Sequence, residues 1–311
     1  MQRIILDTDP GIDDALALFL ALASPEVQLE AITTVSGNVG VELTTLNALS
    51  LLTLTGHTEI PVARGSGVPL VRERVDAAEV HGRNGLGDVT LPAPEIQPVA
   101  QHAVDLIIEK VLQAPGALTL VAIGPLTNLA LAVRREPRIA ELVREVVVMG
   151  GALLVPGNVT PAAEFNIYAD PHAASIVLHA GWPLRLVSLD TTMLAELSRK
   201  QIAHMTQAHS PVLTFSKEIL AYYLDIFAAP RGQRAFHMHD PLCLAAAFQP
   251  DLITWQPMYV DVELTGTLTL GETLGYLAND TSHAPNAQVS VGVDSERFLR
   301  MFLERMGKTY A

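Results

Sequence analysis

Four carboxylates crowd into eight positions near the start of this chain, in Asp7-Thr8-Asp9-Pro10-Gly11-Ile12-Asp13-Asp14. Carboxylates this close repel one another, and more strongly as water is excluded. A bound divalent cation relieves the repulsion. Carboxylate and carbonyl oxygens suit Ca²⁺, Mg²⁺ or Mn²⁺ rather than zinc. Asp13 and Asp14 alone have a structural explanation, because anions are favoured in the first turn of a helix. That explanation leaves Asp7 and Asp9 without a role.

Three other groups could join them. His239-Asp240-Pro241 offers an imidazole beside a carboxylate. It also reads as an ordinary helix start, with Asp240 as the cap and Pro241 at the first helical position. In Ala163–Pro171, Glu164 and Asn166 have the same parity, so on an extended segment both face one ligand. Otherwise they are loop residues that satisfy backbone groups. His81-Gly82-Arg83-Asn84-Gly85 is a glycine-rich loop of the kind that covers a pocket.

The elements that must carry these residues alternate in type. Strand-like runs are expected at Ile4–Leu6, Leu29–Val35, Leu118–Ile123, Val146–Met149 and Leu184–Leu189. Helical patterns cover 13–23, 42–55, 100–113, a segment from about Leu126, and 295–306. Asp170-Pro171 and Ser210-Pro211 are further helix starts, each a capping residue before proline. This alternation predicts an α/β fold, a mostly parallel open sheet flanked by helices. A small β-hairpin is expected near residues 257–278, with Tyr259–Leu264 and Thr267–Leu270 as its arms around Gly266. With no linker, repeat or low-complexity segment, residues 1–311 read as one domain. In open α/β sheets ligands bind beyond the carboxyl ends of the strands. Asp7, Ser36-Gly37-Asn38, Gly124 and Gly150-Gly151 follow such strands, so parallel strands would gather them on one edge.

Composition narrows the function classes. The chain has 311 residues, of which 49% are hydrophobic and only 17% charged, which predicts a large core rather than disorder. A net charge of -13 disfavours a nucleic-acid partner. Residues 1–10 meet Asp7 too early for a signal peptide, and no apolar run is long enough for a membrane span. Cys243 is the one cysteine, so no internal disulfide can form, which fits a reducing, cytoplasmic compartment.

The motifs together carry a resemblance. ILDTDPGIDDALAL (5–18), AITTVSGN (31–38), VAIGPLTNLALA (121–132), VVVMGG (146–151), GNVTPAAEFNIYADP (157–171), HDP (239–241) and ELTGTLTLG (263–271) stand in one order. In this the chain resembles the inosine–uridine-type nucleoside hydrolases over nearly its whole length. The resemblance implies their Rossmann-like fold and Ca²⁺-dependent cleavage of ribonucleosides, purine or pyrimidine, to ribose and free base. It implies Asp9, Asp14, Asp240 and the backbone carbonyl of Ile123 as Ca²⁺ ligands, with Asp9 also the general base. It implies Asp13, Asn38, Asn158, Glu164 and Asn166 around the ribose hydroxyls, with Met149 packed nearby. His239 would contact or protonate the leaving base, and His81 would approach it from a mobile loop. A homotetramer, with a dimer as the alternative, and a place in nucleoside salvage are also implied.

The chemistry suits these residue types. N-glycosidic cleavage builds positive charge on the ribose ring, which carboxylates stabilise. A divalent cation orients a water and lowers its pKa. A histidine can assist departure of the base. Departures from the family pattern fall in Tyr222–Arg234, which corresponds to a base-pocket helix and loop. Tyr223 keeps an aromatic position, but Phe227 replaces a tyrosine common in broad-specificity members and has no hydroxyl to offer. Pro230 and Gly232 make the segment irregular, and His237 reads as a loop histidine. Trp182 and Trp255 are the only tryptophans and neither lies in a base-pocket segment, which disfavours a purine-only enzyme. Two other readings compete. A haloacid-dehalogenase-like phosphatase shares Asp7-x-Asp9, but Gly11 and the later segments do not fit it. A catalytically silent ribonucleoside-binding protein of the same fold would not need both the aspartates and His239.

Overall fold

Ile4, Ile5 and Leu6 are consecutive and all buried, which a strand achieves only when both faces of its sheet are covered. The computed structural model, which describes residues 1–205, 210–276 and 283–310, shows that arrangement. Its strands are β1 (Gln2–Thr8), β2 (Val27–Thr34), β3 (Val62–Arg64), β4 (Leu118–Ala122), β5 (Glu145–Met149), β6 (Leu184–Val187), β7 (Glu196–Ser198), β8 (Ala235–His237), β9 (Ile253–Val262), β10 (Thr273–Tyr276) and β11 (Ala287–Val293). Nine of them form one sheet in the order β10-β9-β11-β6-β5-β4-β1-β2-β3. From β3 to β11 every pairing is parallel, while β9 runs antiparallel to both β11 and β10.

Alternation along each strand splits the core in two. Ile4, Leu6, Val121 and Val147 pack with helices α1 (Ile12–Leu22), α2 (Val41–Thr55), His239–Phe248 and Ser295–Tyr310. Ile5, Leu120, Val146 and Val148 pack with Ala103–Gln113, Thr127–Arg135 and Pro171–Leu178 on the other face. Burying each large apolar side chain contributes about 1.5–3 kcal/mol relative to exposure. The α/β fold and its mostly parallel sheet agree with the sequence reading. Two expected caps are also in place. The Asp170 carboxylate accepts from Ala173 N–H at 3.0 Å, and the Ser210 hydroxyl from Leu213 N–H at 3.2 Å.

Three expectations need correction. The hairpin exists as β9 and β10, but it is the edge of the main sheet, and its second arm is Thr273–Tyr276 rather than Thr267–Leu270. The Glu263 carboxylate accepts from the backbone N–H of Thr265 and Gly266, folding the intervening residues into a turn. Residues 277–278 of the expected hairpin lie outside the described residues. The helix at the histidine–aspartate–proline motif starts at His239 with Met238 as its cap, so Asp240 sits inside the first turn and is not the cap. Finally, the strand expected at Leu184–Leu189 ends at Val187, and a short helical turn, Leu189–Thr192, follows Ser188. Among the described residues, no helix is long and apolar enough to cross a membrane.

Candidate active site

Register aligns the strand ends on which the site stands. Asp7 pairs with Thr33 of β2 and with Ala122 of β4, so β1, β2 and β4 end at one level. Asp7 itself turns away from the carboxylate cluster. Its Oδ1 accepts from the Thr33 hydroxyl at 2.5 Å and from Asn128 Nδ2 at 2.8 Å, tying β1 to its neighbours. Burial pushes its pKa up to about 7.

Asp9 is 1% exposed and held by one residue in two ways. Its Oδ2 accepts from Asn38 N–H at 2.7 Å, and its backbone carbonyl accepts from Asn38 Nδ2 at 3.1 Å. Two glycines make room for the carboxylate. A Cβ on Gly37 would lie 1.9 Å from Asp9 Oδ2, and one on Gly124 would lie 2.4 Å from Oδ1. Gly37→Ala is therefore expected to displace Asp9 and, with Asp9 the general base that the sequence leads one to expect, to lower kcat by about 10²-fold or more, since misplacing such a group by about 1 Å can cost that much. A kcat within about threefold of the parent would refute this reading of the cradle.

Asp14 sits deeper in hydrogen bonds. It accepts from the Thr8 hydroxyl at 2.5 Å, Gly11 N–H at 2.9 Å, Asn38 Nδ2 at 3.0 Å and Asp9 N–H at 3.3 Å. Carboxylate oxygens of Asp13, Asp14 and Asp240 all come within 4.8 Å of one another. Burial, reinforced by the neighbouring carboxylates, raises the pKa of Asp9 and Asp240 well above the usual range and that of Asp13 to about 8. Asp14 is raised too, by burial, although its hydrogen bonds oppose the shift. These groups resist ionising together without a counter-charge, and their oxygens are the hard donors that a divalent cation of the calcium type takes. The donor set therefore fits such an ion. The close triplet contains Asp13, where the sequence reading named Asp9. Asp9 remains an electrostatic neighbour of all three.

Ile123, which directly precedes the Gly124 that abuts Asp9, joins a second group of the named residues, and among the described residues no contact brings Asn158 to the carboxylate cluster. The Ile123 carbonyl accepts from Asn166 Nδ2 at 2.9 Å. The same amide lies 3.3 Å from the Met149 carbonyl and 3.5 Å from its sulfur, which brings Ile123, Met149 and Asn166 together. The parity argument for Glu164 and Asn166 does not hold, because Phe165–Ala169 is helical and Glu164 caps it. Glu164 accepts from the backbone N–H of Asn166 at 2.9 Å, Gly151 at 3.0 Å and Ile167 at 3.1 Å. Burial raises its pKa, against those bonds. Asn158 is more exposed and accepts from Phe165 N–H at 2.9 Å.

On the remaining side, His81 Nδ1 accepts from Ile12 N–H at 3.1 Å and lies 4.0 Å from Asp13. His239 Nδ1 lies 2.7 Å from the Thr192 hydroxyl. Burial holds the pKa of His81 down to about 4, and burial with two neighbouring imidazoles holds His239 down to about 3. Both are neutral near pH 7. Tyr223–Ala228 forms a π-helical turn, a distortion often found at functional sites. On it the rings of Tyr223 and Phe227 lie 5.2 Å apart, and the Arg231 guanidinium sits 3.9 Å from the Phe227 ring centre. The sequence reading did not single out Thr8, Thr33, Asn128 or Thr192, and it set Gly37 and Gly124 at strand ends on the site's edge without giving them the task of making room for Asp9. The glycines stand directly after strand ends, which was a usable signal. Thr192 had none, because its partner lies 47 residues away.

The comparisons with known proteins agree with one another. A family model described as "Inosine-uridine preferring nucleoside hydrolase" matches residues 4–300. The inosine-uridine preferring nucleoside hydrolase of Crithidia fasciculata is 41% identical over 307 residues, covering 98% of this chain and 97% of that protein. The pyrimidine-specific ribonucleoside hydrolase RihA of Enterobacter sp. (strain 638) is 39% identical over 306 residues, covering 98% and 97%. Among solved structures, the purine-preferring ribonucleoside hydrolase from Gardnerella vaginalis superposes with a TM-score of 0.94 at 34% identity, covering 99% of each chain.

Proposed function

The chain belongs to the inosine-uridine preferring nucleoside hydrolase family, and we propose that it hydrolyses the N-glycosidic bond of ribonucleosides to ribose and free base with Ca²⁺ as its cofactor. The observation that carries this reading is the buried cluster of Asp13, Asp14 and Asp240 with Asp9 beside it. Asp9, Asp14, Asp240 and the Ile123 carbonyl would hold the ion. When bound, it would neutralise the carboxylates and make a water more acidic.

The chain's own groups do the rest. Asp9, fixed between Gly37, Gly124 and Asn38, takes a proton from the attacking water. Oxygen bonds to the anomeric carbon as the bond to the base nitrogen breaks. Asp13, Asn38, Asn158, Glu164 and Asn166 hold the ribose hydroxyls, and Met149 packs against the sugar. The carboxylates stabilise positive charge where it develops on the ring. The base departs with the electron pair of the broken bond and gains a proton on the His239 side. The neutral His239 ring is too weak an acid to give up its N–H, so it assists by hydrogen-bonding the departing base, with the Thr192 hydroxyl at Nδ1 orienting the ring, and the base nitrogen takes its proton from water on that side.

His239→Ala should then lower kcat for inosine or uridine by about 10²-fold or more, and much less for a nitrophenyl riboside whose leaving group needs no help. Equal losses on both would contradict the role.

The base range proposed is purine and pyrimidine together. The relatives' names divide on this point. Trp182 and Trp255 donate to the carbonyls of Val177 and Pro250 and so serve the scaffold. One domain over 1–311, a cytoplasmic homotetramer (or dimer) and a role in salvage complete the proposal. Purified protein incubated with inosine, adenosine, guanosine, uridine and cytidine should release free ribose from several of them. No release from any, in folded and metal-loaded protein, would leave a binding protein instead.

A further inference from the structure

Strands β7 and β8 form a two-stranded antiparallel pair in which Glu196 stands directly opposite His237. Glu196 Oε1 lies 4.0 Å from His237 Nδ1, and that nitrogen is buried without a hydrogen-bond partner. Such a nitrogen costs stability until it is paired. The His237 ring also lies 5.7 Å from the His239 ring, tilted by 31°. His239 in turn adjoins Asp240 of the carboxylate cluster. His239, His237 and Glu196 are thus neighbours in turn, starting from the residue next to Asp240. Glu196 closes the row, with a side chain 58% exposed against 11% for His237.

We propose that His237 reads the far edge of the leaving base, its Nε2 accepting a hydrogen bond from an N–H on the six-membered ring of a purine. This rests on the nucleosidase reading above. A small rotation of the exposed Glu196 side chain brings its carboxylate onto Nδ1. That bond fixes the proton on Nδ1 and leaves Nε2 an acceptor. A purine carries its six-membered ring one ring farther from the glycosidic bond than a pyrimidine does. His237, the next imidazole beyond His239, is assigned to that farther ring. A residue at His239 meets the base near the bond that breaks, whereas His237 meets only a base long enough to reach it. Glu196 is a positioning residue for this contact.

The test assays His237→Ala, His237→Gln and Glu196→Ala in the full-length protein, with kcat and KM measured separately for inosine and uridine. His237→Ala should raise KM for inosine by about 3- to 10-fold, the worth of one hydrogen bond, and lower the inosine-to-uridine ratio of kcat/KM by the same factor. Glutamine, whose amide oxygen can accept, should recover part of the loss. Glu196→Ala should shift the ratio the same way by less. Equal losses for both nucleosides, or a loss in kcat alone, would overturn the assignment. A second measurement does not depend on turnover. In calorimetric titrations the unmodified protein should bind hypoxanthine about 3- to 10-fold more tightly than unsubstituted purine, which has no N–H on its six-membered ring, and His237→Ala should bind the two equally. Equal binding by the unmodified protein would overturn the inference even where ribose release upholds the nucleosidase. Absence of ribose release from every nucleoside would overturn the nucleosidase reading, while the base titration still decides the part assigned to His237.

Discussion

Asp9→Asn is expected to lower kcat for inosine or uridine by about 10³-fold while the protein stays folded. Asparagine keeps the size of the side chain, so it still fits between Gly37 and Gly124, and its amide oxygen can still accept from Asn38 N–H. It cannot take a proton from water. General base assistance is typically worth about 10²–10⁴-fold, which sets the magnitude. The substitution also removes a charge from the proposed ion site, so the assay is run at saturating Ca²⁺, with the ion's affinity titrated in the same variant. An unchanged kcat at saturating ion would assign the proton to another group, and Asp13 would be the first alternative.

The second large effect concerns the sugar. Inosine should be hydrolysed about 10⁴-fold more efficiently than 2′-deoxyinosine. Glu164 and Asn166 are 2% and 5% exposed, and Asn38 is 6% exposed, so these three of the groups proposed to hold the sugar are cut off from solvent. Removing one hydroxyl strands its buried partner, and a site built to pair with that hydroxyl rejects the analogue strongly. The comparison is of kcat/KM for the two nucleosides under one condition. A ratio below about tenfold would mean that the ribose hydroxyls are not read by these groups.

Much of this site was legible because its signals are local. The crowded carboxylates left Asp7 and Asp9 without a structural use in the sequence, and Asp9 does adjoin the cluster, whereas Asp7 ties β1 to its neighbours. Asp170-Pro171 and Ser210-Pro211 announce helices because a cap and its proline are neighbours in the chain. The parallel sheet followed from short apolar runs that alternate with helical patterns along the chain. What was not legible depends on partners distant in sequence. Glu164 turned out to be a helix cap, which breaks the parity shared with Asn166. Asp240 was read as a possible cap, and the helix start at His239 frees its carboxylate instead. Strands β7 and β8 are three residues each, too short for a pattern, yet they place His237 beside His239. Thr192 reaches His239 only through the fold, and so does Asn128 in reaching Asp7.

The buried carboxylates make ion binding the centre of the account. An ion that binds the folded chain and not the unfolded one also stabilises it by mass action, so the thermal midpoint should rise with added Ca²⁺. The most direct measurement is ribose release from inosine and uridine before chelation, after chelation, and after Ca²⁺ is restored, with Ca²⁺ binding titrated on the same chelated protein. The account predicts release that chelation abolishes and Ca²⁺ restores, with one ion bound per chain. Undiminished release from protein shown by elemental analysis to be free of divalent metal would contradict it.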